Sequence, residues 1–288
     1  MTIGLIIMVI LPDFPDTWNA LTGDMKQVAN RRIAIEAEAD VDSKGGMSQV
    51  RGMVLAFKDP KTYILAIAYH CITGASGFQN FFPTLTATLG YNKVISLLLV
   101  APPYIFITVY SLCHGFASDH IGNRFWFFVY PIPITIVGFI IFMTASHFGP
   151  LYFSFFLMNF VFAQNGTIYA WISNAIPRPP AKRAAALAFM NSFGNAASIW
   201  TPYTYYNASK PHYRPALGAC IGMQIVGLIC ALILRWYLTK QNHYLAKLEL
   251  DDTQLTEEDV RKLEKMAEFE GINIATARQM QKGYRFMI

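Results

Sequence analysis

The stretch GFASDHIGNRFW, residues 115–126, separates two long apolar runs and gathers Asp119, His120 and Arg124 within six positions. Charged residues are scarce in the chain as a whole: they make up 14% of it, against 54% for hydrophobic residues. A soluble domain carries roughly twice that charged fraction. The composition therefore indicates a membrane protein, and the quoted stretch indicates a turn between two membrane-crossing helices.

The apolar runs have the length of membrane-spanning helices, which need about twenty residues to cross about 30 Å of hydrocarbon. Six complete spans are predicted, at Tyr63–Leu85, Val94–Phe116, Phe125–Ala145, Leu151–Asn174, Ala184–Tyr205 and Ala216–Tyr237. Residues 1–11 form a shorter apolar piece without the basic start and cleavage site of a signal peptide. We expect this piece to be the end of a truncated helix.

These runs divide the chain into four parts. We predict an all-α membrane protein with a helix end over 1–11, a cytoplasmic loop over 12–61, a six-helix transmembrane domain over 62–237 and a cytoplasmic tail over 238–288. Within the tail, LTEEDVRKLEKMAEFEG is typical of a short amphipathic surface helix, since Thr256 precedes Asp259 by three positions and Gly271 provides a stop.

Lysine and arginine alternate between the predicted loops. The first long loop, the turn at Arg124, the RPPAKR turn and the start of the tail hold most of them, whereas the intervening loops hold only Lys93, Lys210 and Arg214. By the positive-inside rule the richer set is cytoplasmic. The net charge of +5 is therefore explained by the excess of basic residues in the cytoplasmic loops, and no nucleic-acid partner is expected. The expected surroundings are the lipid bilayer, in the plasma membrane.

The four cysteines, Cys71, Cys113, Cys220 and Cys230, all lie within predicted spans and show no paired spacing. We expect small buried apolar side chains rather than disulfides or metal ligands. No metal and no cofactor is expected.

The quoted stretch contains the pattern Gly-x-x-x-Asp-x-x-Gly-x-Arg, formed by Gly115, Asp119, Gly122 and Arg124. This pattern resembles the signature loop of the major facilitator superfamily. We expect Gly115 to permit close helix approach, Gly122 to form the turn and Arg124 to face the lipid headgroups. The resemblance implies a conformational latch, in which Asp119 and Arg124 join two helices in one state and release them in the other.

Further segments narrow the resemblance: LPDFPDT, FKDPKTY, FQNFFPTL, LLLVAPPY, the stretch AWISNAIPRPPAKRAAALAFMNSFGNAASI and the closing KGYRFMI. They are similar to the fungal anion:cation symporter branch, which includes allantoate, nicotinate and other vitamin permeases. The resemblance implies the six-helix C-terminal half of a twelve-helix carrier that takes up a small organic anion with protons. A missing N-terminal half, or a second chain, would then complete the cavity.

Polar side chains within spans are the candidates for substrate contact, because carriers bind near the midplane and a polar group facing lipid is costly. The candidates are His70, Gln79, Asn80, Tyr104, Asn165, Tyr169, Asn191 and Asn195. At helical spacing His70, Thr73, Gly77, Asn80 and Thr84 share one face. Imidazole changes charge near neutral pH, which suits proton coupling. The alternatives are that His70 stays neutral and donates to a backbone carbonyl, and that the amides only join helices.

Two other functions compete with transport. A membrane enzyme would need clustered catalytic side chains, whereas the histidines are scattered and only His114 and Asp119 match an acyltransferase-like His-x4-Asp. A truncated half-carrier could be inactive, or could act as a regulatory half that dimerises. We predict a carrier and not an enzyme.

Overall fold

The computed structural model describes residues 22–29, 48–82, 92–177, 179–206 and 212–250, together with residues 261, 264, 286 and 287. The chain divides into two compact units, Met1–Met47 and Ser48–Ile288. In the first unit, residues 23–29 form a helix. All the elements and sites that follow belong to the second unit.

The second unit is built from helices, and no strand occurs among the described residues, which confirms the predicted all-α fold. The helices are α1 Gln49–Lys58, α2 Pro60–Ala75, α3 Lys93–Leu98, α4 Ala101–Ile121, α5 Arg124–Val129, α6 Pro131–Thr144, α7 Phe148–Met158, α8 Ala163–Ala175, α9 Pro180–Asn195, α10 Ala197–Trp200 and α11 Arg214–Leu250. Three 3₁₀ turns adjoin them, at Ser76–Phe81, Asn159–Phe162 and Thr201–Thr204.

Short polar side chains and one glycine set the helix ends. The Asp59 carboxylate caps α2, ahead of a proline at its first position. The side chains of Asn92 and Asn123 accept backbone N–H bonds at the starts of α3 and α5. Gly122 ends α4 with a φ of 69°, a left-handed conformation that glycine adopts without strain. The predicted tight turn at Gly122 is therefore present.

Three of the predicted spans correspond to helical stretches that are long and apolar enough to cross a membrane. By these two criteria, three helical stretches among the described residues can cross a membrane: Val94–Ile121, Arg124–Thr144 and Arg214–His243. The other three predicted spans are also helical, but each passes into a 3₁₀ turn, after α2, between α7 and α8, and after α10. Apolar composition does not indicate where an α-helix tightens in this way.

Some boundaries and exposures differ from prediction. Helix α11 continues to Leu250, beyond the expected end of the last span at Tyr237. Cys113 is exposed whereas the other three thiols are buried. The prediction was wrong at Cys113 because it lies on an outward face of α4, beside the exposed Leu112 and Phe116. Residues 1–11 and nearly all of the predicted tail helix lie outside the described residues.

Helix α2 lies at the centre of the packing. It contacts α9 and, along much of its length, α11, while α9 also covers α1, and α6 packs against both α7 and α11. A Cβ at Gly194 of α9 would lie 2.0 Å from Cδ1 of Tyr69 on α2, so glycine is required where these helices approach. The close contact of α2 with α9 brings polar residues of the two helices together.

Aromatic rings fill the interior between α2, α6 and α7. Phe78, Phe82, Phe139, Phe142 and Phe155 are fully buried. Several of these rings meet edge to face, with centroids 4.5 Å apart for Phe82 and Phe155 and 5.9 Å for Phe78 and Phe139. Because lipid is as apolar as these rings, packing contacts rather than removal from water distinguish the folded bundle from separate helices.

Candidate functional site

Four of the predicted substrate-contact residues lie along the junction of α2, α8 and α9, and three of them form one hydrogen-bonded cluster. The Tyr169 hydroxyl on α8 donates to the Asn191 side-chain oxygen at 2.8 Å. Asn195, one turn further along α9, donates from Nδ2 to the same oxygen at 2.7 Å and to the Asn191 carbonyl at 2.9 Å. Asn191 and Asn195 are both exposed. We call Tyr169, Asn191 and Asn195 the amide cluster.

The amide cluster keeps hydrogen-bonding capacity for a ligand. The Asn191 side-chain oxygen already accepts two bonds, from Tyr169 and Asn195. With that oxygen occupied, the Nδ2 group of Asn191 remains a donor, and no described residue accepts from it. A group offering donors suits a ligand rich in acceptor oxygens.

His70 on α2 contacts the same segment of α9. Its Nδ1 lies 2.9 Å from the Phe193 carbonyl oxygen, and its Nε2 lies 3.4 Å from the indole N–H of Trp200. A carbonyl can only accept and an indole N–H can only donate, so these contacts fit one neutral tautomer with the proton on Nδ1. His70 therefore has the backbone contact that the sequence analysis set as an alternative to proton coupling.

None of the other four candidates forms a hydrogen bond with the amide cluster among the described residues, although Asn165 precedes Tyr169 by one turn of α8. The α-helix of α2 ends at Ala75, so the predicted stripe from His70 to Asn80 is broken: Gly77 is buried, whereas Gln79 and Asn80 are exposed. Thr84 lies outside the described residues. The expectation of one shared face was wrong because the 3₁₀ turn changes the angle per residue.

Tyr104 and Asn165 have separate surroundings. The Tyr104 ring packs against Phe82 and Phe162, with centroids 5.3 and 6.0 Å away. Asn165 is half-buried on α8, next to a fully buried Gln164 that donates to the Phe128 carbonyl at 3.0 Å. Neither is shown in contact with the amide cluster.

The residues of the predicted latch form the expected ion pair. Asp119 accepts from the Arg124 guanidinium at 2.5 Å, and Arg124 also donates to the Ser118 hydroxyl at 2.9 Å. The Asp119 side chain is 68% exposed and that of Arg124 only 10%. The expectation that Arg124 faces the headgroups was therefore wrong, since its side chain turns inward. We call the end of the bundle that carries this pair the latch end.

Gly115 does not mediate close helix approach. A Cβ at this position would meet no atom within 4 Å. The expected role of Gly115 in packing was wrong because no described element approaches this side of α4, although His114 next to it is buried.

An ion-pair cluster at the latch end was missed by the sequence analysis. Asp59, at the start of α2, lies 2.8 Å from the Lys182 ammonium on α9 and 3.7 Å from the Lys61 ammonium. Lys61 also donates to the Ala175 carbonyl at the end of α8, at 2.7 Å. All three side chains are largely buried, at 9–12% exposure. The sequence did contain a signal for this cluster: FKDPKTY and RPPAKR carry opposite charges and are predicted to lie on the same side of the membrane.

A second missed network surrounds His114. Its Nδ1 lies 2.6 Å from the Tyr130 hydroxyl and its Nε2 lies 2.9 Å from the Thr167 hydroxyl. Tyr130 in turn bonds to Tyr110. The partners of His114 are thus hydroxyl groups on α8 and at the junction of α5 and α6, whereas Asp119 pairs with Arg124. This arrangement does not form the His-x4-Asp pairing considered from the sequence.

Within the described ranges, no group of three or more His, Cys, Asp or Glu side chains could hold a metal ion. The chemistry available at the junction of α2, α8 and α9 is hydrogen bonding, by amides, a phenol and an imidazole.

Comparisons with known proteins agree with a carrier. A family model described as Major Facilitator Superfamily matches residues 1–202. The MFS-type transporter cnsO of Penicillium expansum is 27% identical over 255 residues, which cover 83% of this chain and 48% of that protein. The major facilitator-type transporter hxnP of Emericella nidulans is 24% identical over 246 residues, covering 84% and 49%.

An uncharacterized transporter of Schizosaccharomyces pombe is 25% identical over 245 residues, covering 83% of this chain and 47% of that protein. The chain thus spans about half the length of the curated relatives it matches. No solved structure matches. The helical bundle, its ion-paired signature loop and the family match over 202 residues together show that the chain belongs to the major facilitator superfamily.

Proposed function

We propose that this chain forms part of the substrate path of a carrier for a small organic anion or vitamin-like carboxylate, with uptake coupled to protons. The observation that carries the proposal is the amide cluster of Tyr169, Asn191 and Asn195, with His70 of α2 in contact with the same segment of α9. The resemblance of FKDPKTY and RPPAKR to the anion:cation symporter branch supports the same substrate class.

The chemistry of the site suits a carboxylate. Carboxylate oxygens accept several hydrogen bonds, and Asn191 Nδ2 is placed to donate one. No lysine or arginine lies deep in the predicted spans, so a positive charge must come from elsewhere. Protonation of His70 would supply it, and would turn Nε2 from an acceptor into a donor, breaking the contact with the Trp200 indole. Proton binding and anion binding would then favour each other.

The Asp119–Arg124 pair is proposed as the conformational latch of this carrier. It joins the end of α4 to the start of α5 through a buried guanidinium and an exposed carboxylate. When the pair opens, the carboxylate already faces solvent, and the largely buried guanidinium keeps its bond to the Ser118 hydroxyl. We also propose that the latch end and the loop over 12–61 face the cytoplasm and that the membrane is the plasma membrane, on the positive-inside bias.

Uptake measurements test the proposal. Cells lacking endogenous uptake would express the longest protein encoded by the transcript, and would be supplied with labelled nicotinate, allantoate and related carboxylates. We expect uptake of at least one anion, and a loss of roughly tenfold or more in Asn191→Ala, the cost of about one good hydrogen bond to a charged group. Ser198→Ala, an exposed hydroxyl on α10, is the matched control. Equal uptake by both variants would remove the amide cluster from the substrate path.

A half-carrier that is inactive alone, or that acts as a regulatory half and dimerises, is the second candidate. The chain spans about half the length of the relatives it matches. The 288-residue chain would be reconstituted alone in vesicles, and its oligomeric state measured by cross-linking. Uptake by a dimer would support a half that completes its own cavity. A monomer that inserts without transport would instead support dependence on a further half.

A further inference from the structure

The residues Phe286 and Met287, from the closing KGYRFMI segment, contact the latch end of the bundle. The Phe286 backbone N–H donates to the Asn242 side-chain oxygen at 2.8 Å, and Asn242 Nδ2 donates to the Phe286 carbonyl at 2.9 Å. One amide side chain thus satisfies both backbone groups of a single residue. These two bonds depend on the backbone of residue 286 and not on its side chain.

Side-chain contacts add selectivity to this backbone contact. The Lys61 ammonium lies 4.8 Å from the centroid of the Phe286 ring, within the range of a cation–π interaction, and the ring packs against the buried core. The Met287 sulfur accepts from Asn174 Nδ2 at 3.3 Å. The contacts therefore suit an aromatic residue followed by a thioether.

The three contact residues lie on three different helices. Lys61 belongs to α2, Asn174 to α8 and Asn242 to α11. Lys61 also donates to the Ala175 carbonyl and lies beside Asp59, which pairs with Lys182 of α9. A peptide held by these residues therefore ties α2, α8 and α11 together; of these helices, α8 carries Tyr169 of the amide cluster and α2 carries His70.

We propose that Lys61, Asn174 and Asn242 form a peptide-binding site whose ligand is the Phe286–Met287 segment of the same chain. The occupied site holds α2, α8 and α11 together at the latch end. Loss of the segment frees these helices from one another there, so docking of the tail controls how readily this end of the bundle opens. The proposal does not depend on the substrate or on transport itself.

Proximity cross-linking tests the binding in cis. Cys113→Ser removes the exposed thiol, and the other three cysteines are buried. In that background Asn174→Cys with Met287→Cys would be treated with a short thiol-to-thiol cross-linker, because cysteine is shorter than either replaced side chain. We expect rapid intramolecular linkage, read by mass spectrometry of proteolytic fragments.

The matched control is Ser198→Cys with Met287→Cys. Position 198 is exposed and lies about 27 Å along α9 and α10 from the latch end, at 1.5 Å per residue. Equal linkage rates in the two double variants would overturn the proposal. A second experiment distinguishes binding within one chain from binding between chains. One tagged preparation carries only Asn174→Cys, a differently tagged one carries only Met287→Cys, and linkage is measured after the two are mixed. Linkage found only between molecules would overturn the assignment to the same chain.

Two further variants test the contacts themselves. Phe286→Ala alters the ligand and leaves the bundle residues unchanged, and Asn242→Ala removes both backbone bonds. We expect each to slow the Asn174–Met287 linkage about tenfold, which corresponds to about 1.4 kcal/mol. We also expect each to lower the thermal unfolding midpoint slightly. Linkage at the rate of the parent in Phe286→Ala, where misfolding of the bundle is not a concern, would contradict the proposed site.

Discussion

At the scale of single residues, the two atoms that His70 contacts determine the tautomer of its ring. A carbonyl at Nδ1 and an indole N–H at Nε2 fit only the neutral ring with its proton on Nδ1. Adding a proton breaks the weaker, 3.4 Å contact and leaves the stronger, 2.9 Å contact intact. The contact with the Phe193 carbonyl is therefore compatible with either form of the ring.

We expect His70→Ala to abolish the acid stimulation of uptake while the protein still inserts. The variant would lack the group proposed to take up the coupled proton, so its uptake should no longer rise when the medium is acidified. Initial uptake rates across pH measure this, with surface labelling as the control for insertion. An unchanged pH profile would remove His70 from proton coupling.

The buried pair of Asp59 and Lys182 belongs to the same scale. We expect Asp59→Asn to destabilise the domain by about 3 kcal/mol, because it leaves the largely buried Lys182 ammonium without its counter-ion. Thermal unfolding in detergent measures the loss. Adding Lys182→Met should restore part of it, since the uncompensated charge is then gone. A double variant no more stable than Asp59→Asn would show that the uncompensated Lys182 charge does not cause the loss, since asparagine at position 59 can still accept the Lys61 N–H bond that caps α2.

At the scale of elements, α9 connects the ion-pair cluster at the latch end with the amide cluster. Its first turn carries Lys182, bonded to Asp59 of α2, and its last turns carry Asn191 and Asn195. Gly194 lies between Asn191 and Asn195, and the Tyr69 ring approaches it to a distance that any side chain at position 194 would prevent. The position of the amide cluster relative to His70 therefore depends on how closely α9 lies against α2.

We expect Gly194→Ala to push α9 away from α2 and to destabilise the domain by about 1–3 kcal/mol, as overpacked cores do. A Cβ there would lie 2.0 Å from the Tyr69 ring, and the ring is rigid. Gly218→Ala on α11 is the matched control, because its added Cβ would meet no atom within 4 Å. Comparable unfolding midpoints for the two variants would show that the junction of α2 and α9 adapts more than the geometry suggests.

At the scale of the whole molecule, the latch pair and the tail contact lie at one end of the bundle and the amide cluster lies further along the helices. Arg124 and Lys61 both hold their charges at helix ends, where a rearrangement of α2, α4 or α5 would move them. A carrier alternates between two arrangements of such ends around a fixed site.

We expect Asp119→Asn to lower the maximal uptake rate several-fold while leaving the substrate preference and KM nearly unchanged. The substitution removes a contact outside the substrate path and leaves the Arg124 guanidinium with the Ser118 hydroxyl. Concentration-dependent uptake of two competing anions separates these effects. A change in KM with an unaltered maximal rate would place Asp119 in binding rather than in the conformational cycle. Arg124→Lys, which loses the planar fork, should resemble Asp119→Asn.

The sequence alone determined the membrane class, the all-α fold, the six apolar segments and the signature loop, because these follow from composition, run length and short-range spacing. It also singled out His70, Tyr169, Asn191 and Asn195, since polar groups within apolar spans are few. These features can be recognised from the local sequence pattern, without knowing which residues are in contact in the folded protein.

Only the tertiary structure decided which polar groups meet. The 3₁₀ turn after Ala75 separates Gln79 and Asn80 from His70, and Arg124 turns inward rather than toward the headgroups. The partners of Asp59 and of Phe286 are 123 and 44 positions away, at Lys182 and Asn242. Pairings over such distances depend on helix packing, which a periodic pattern in one segment does not encode.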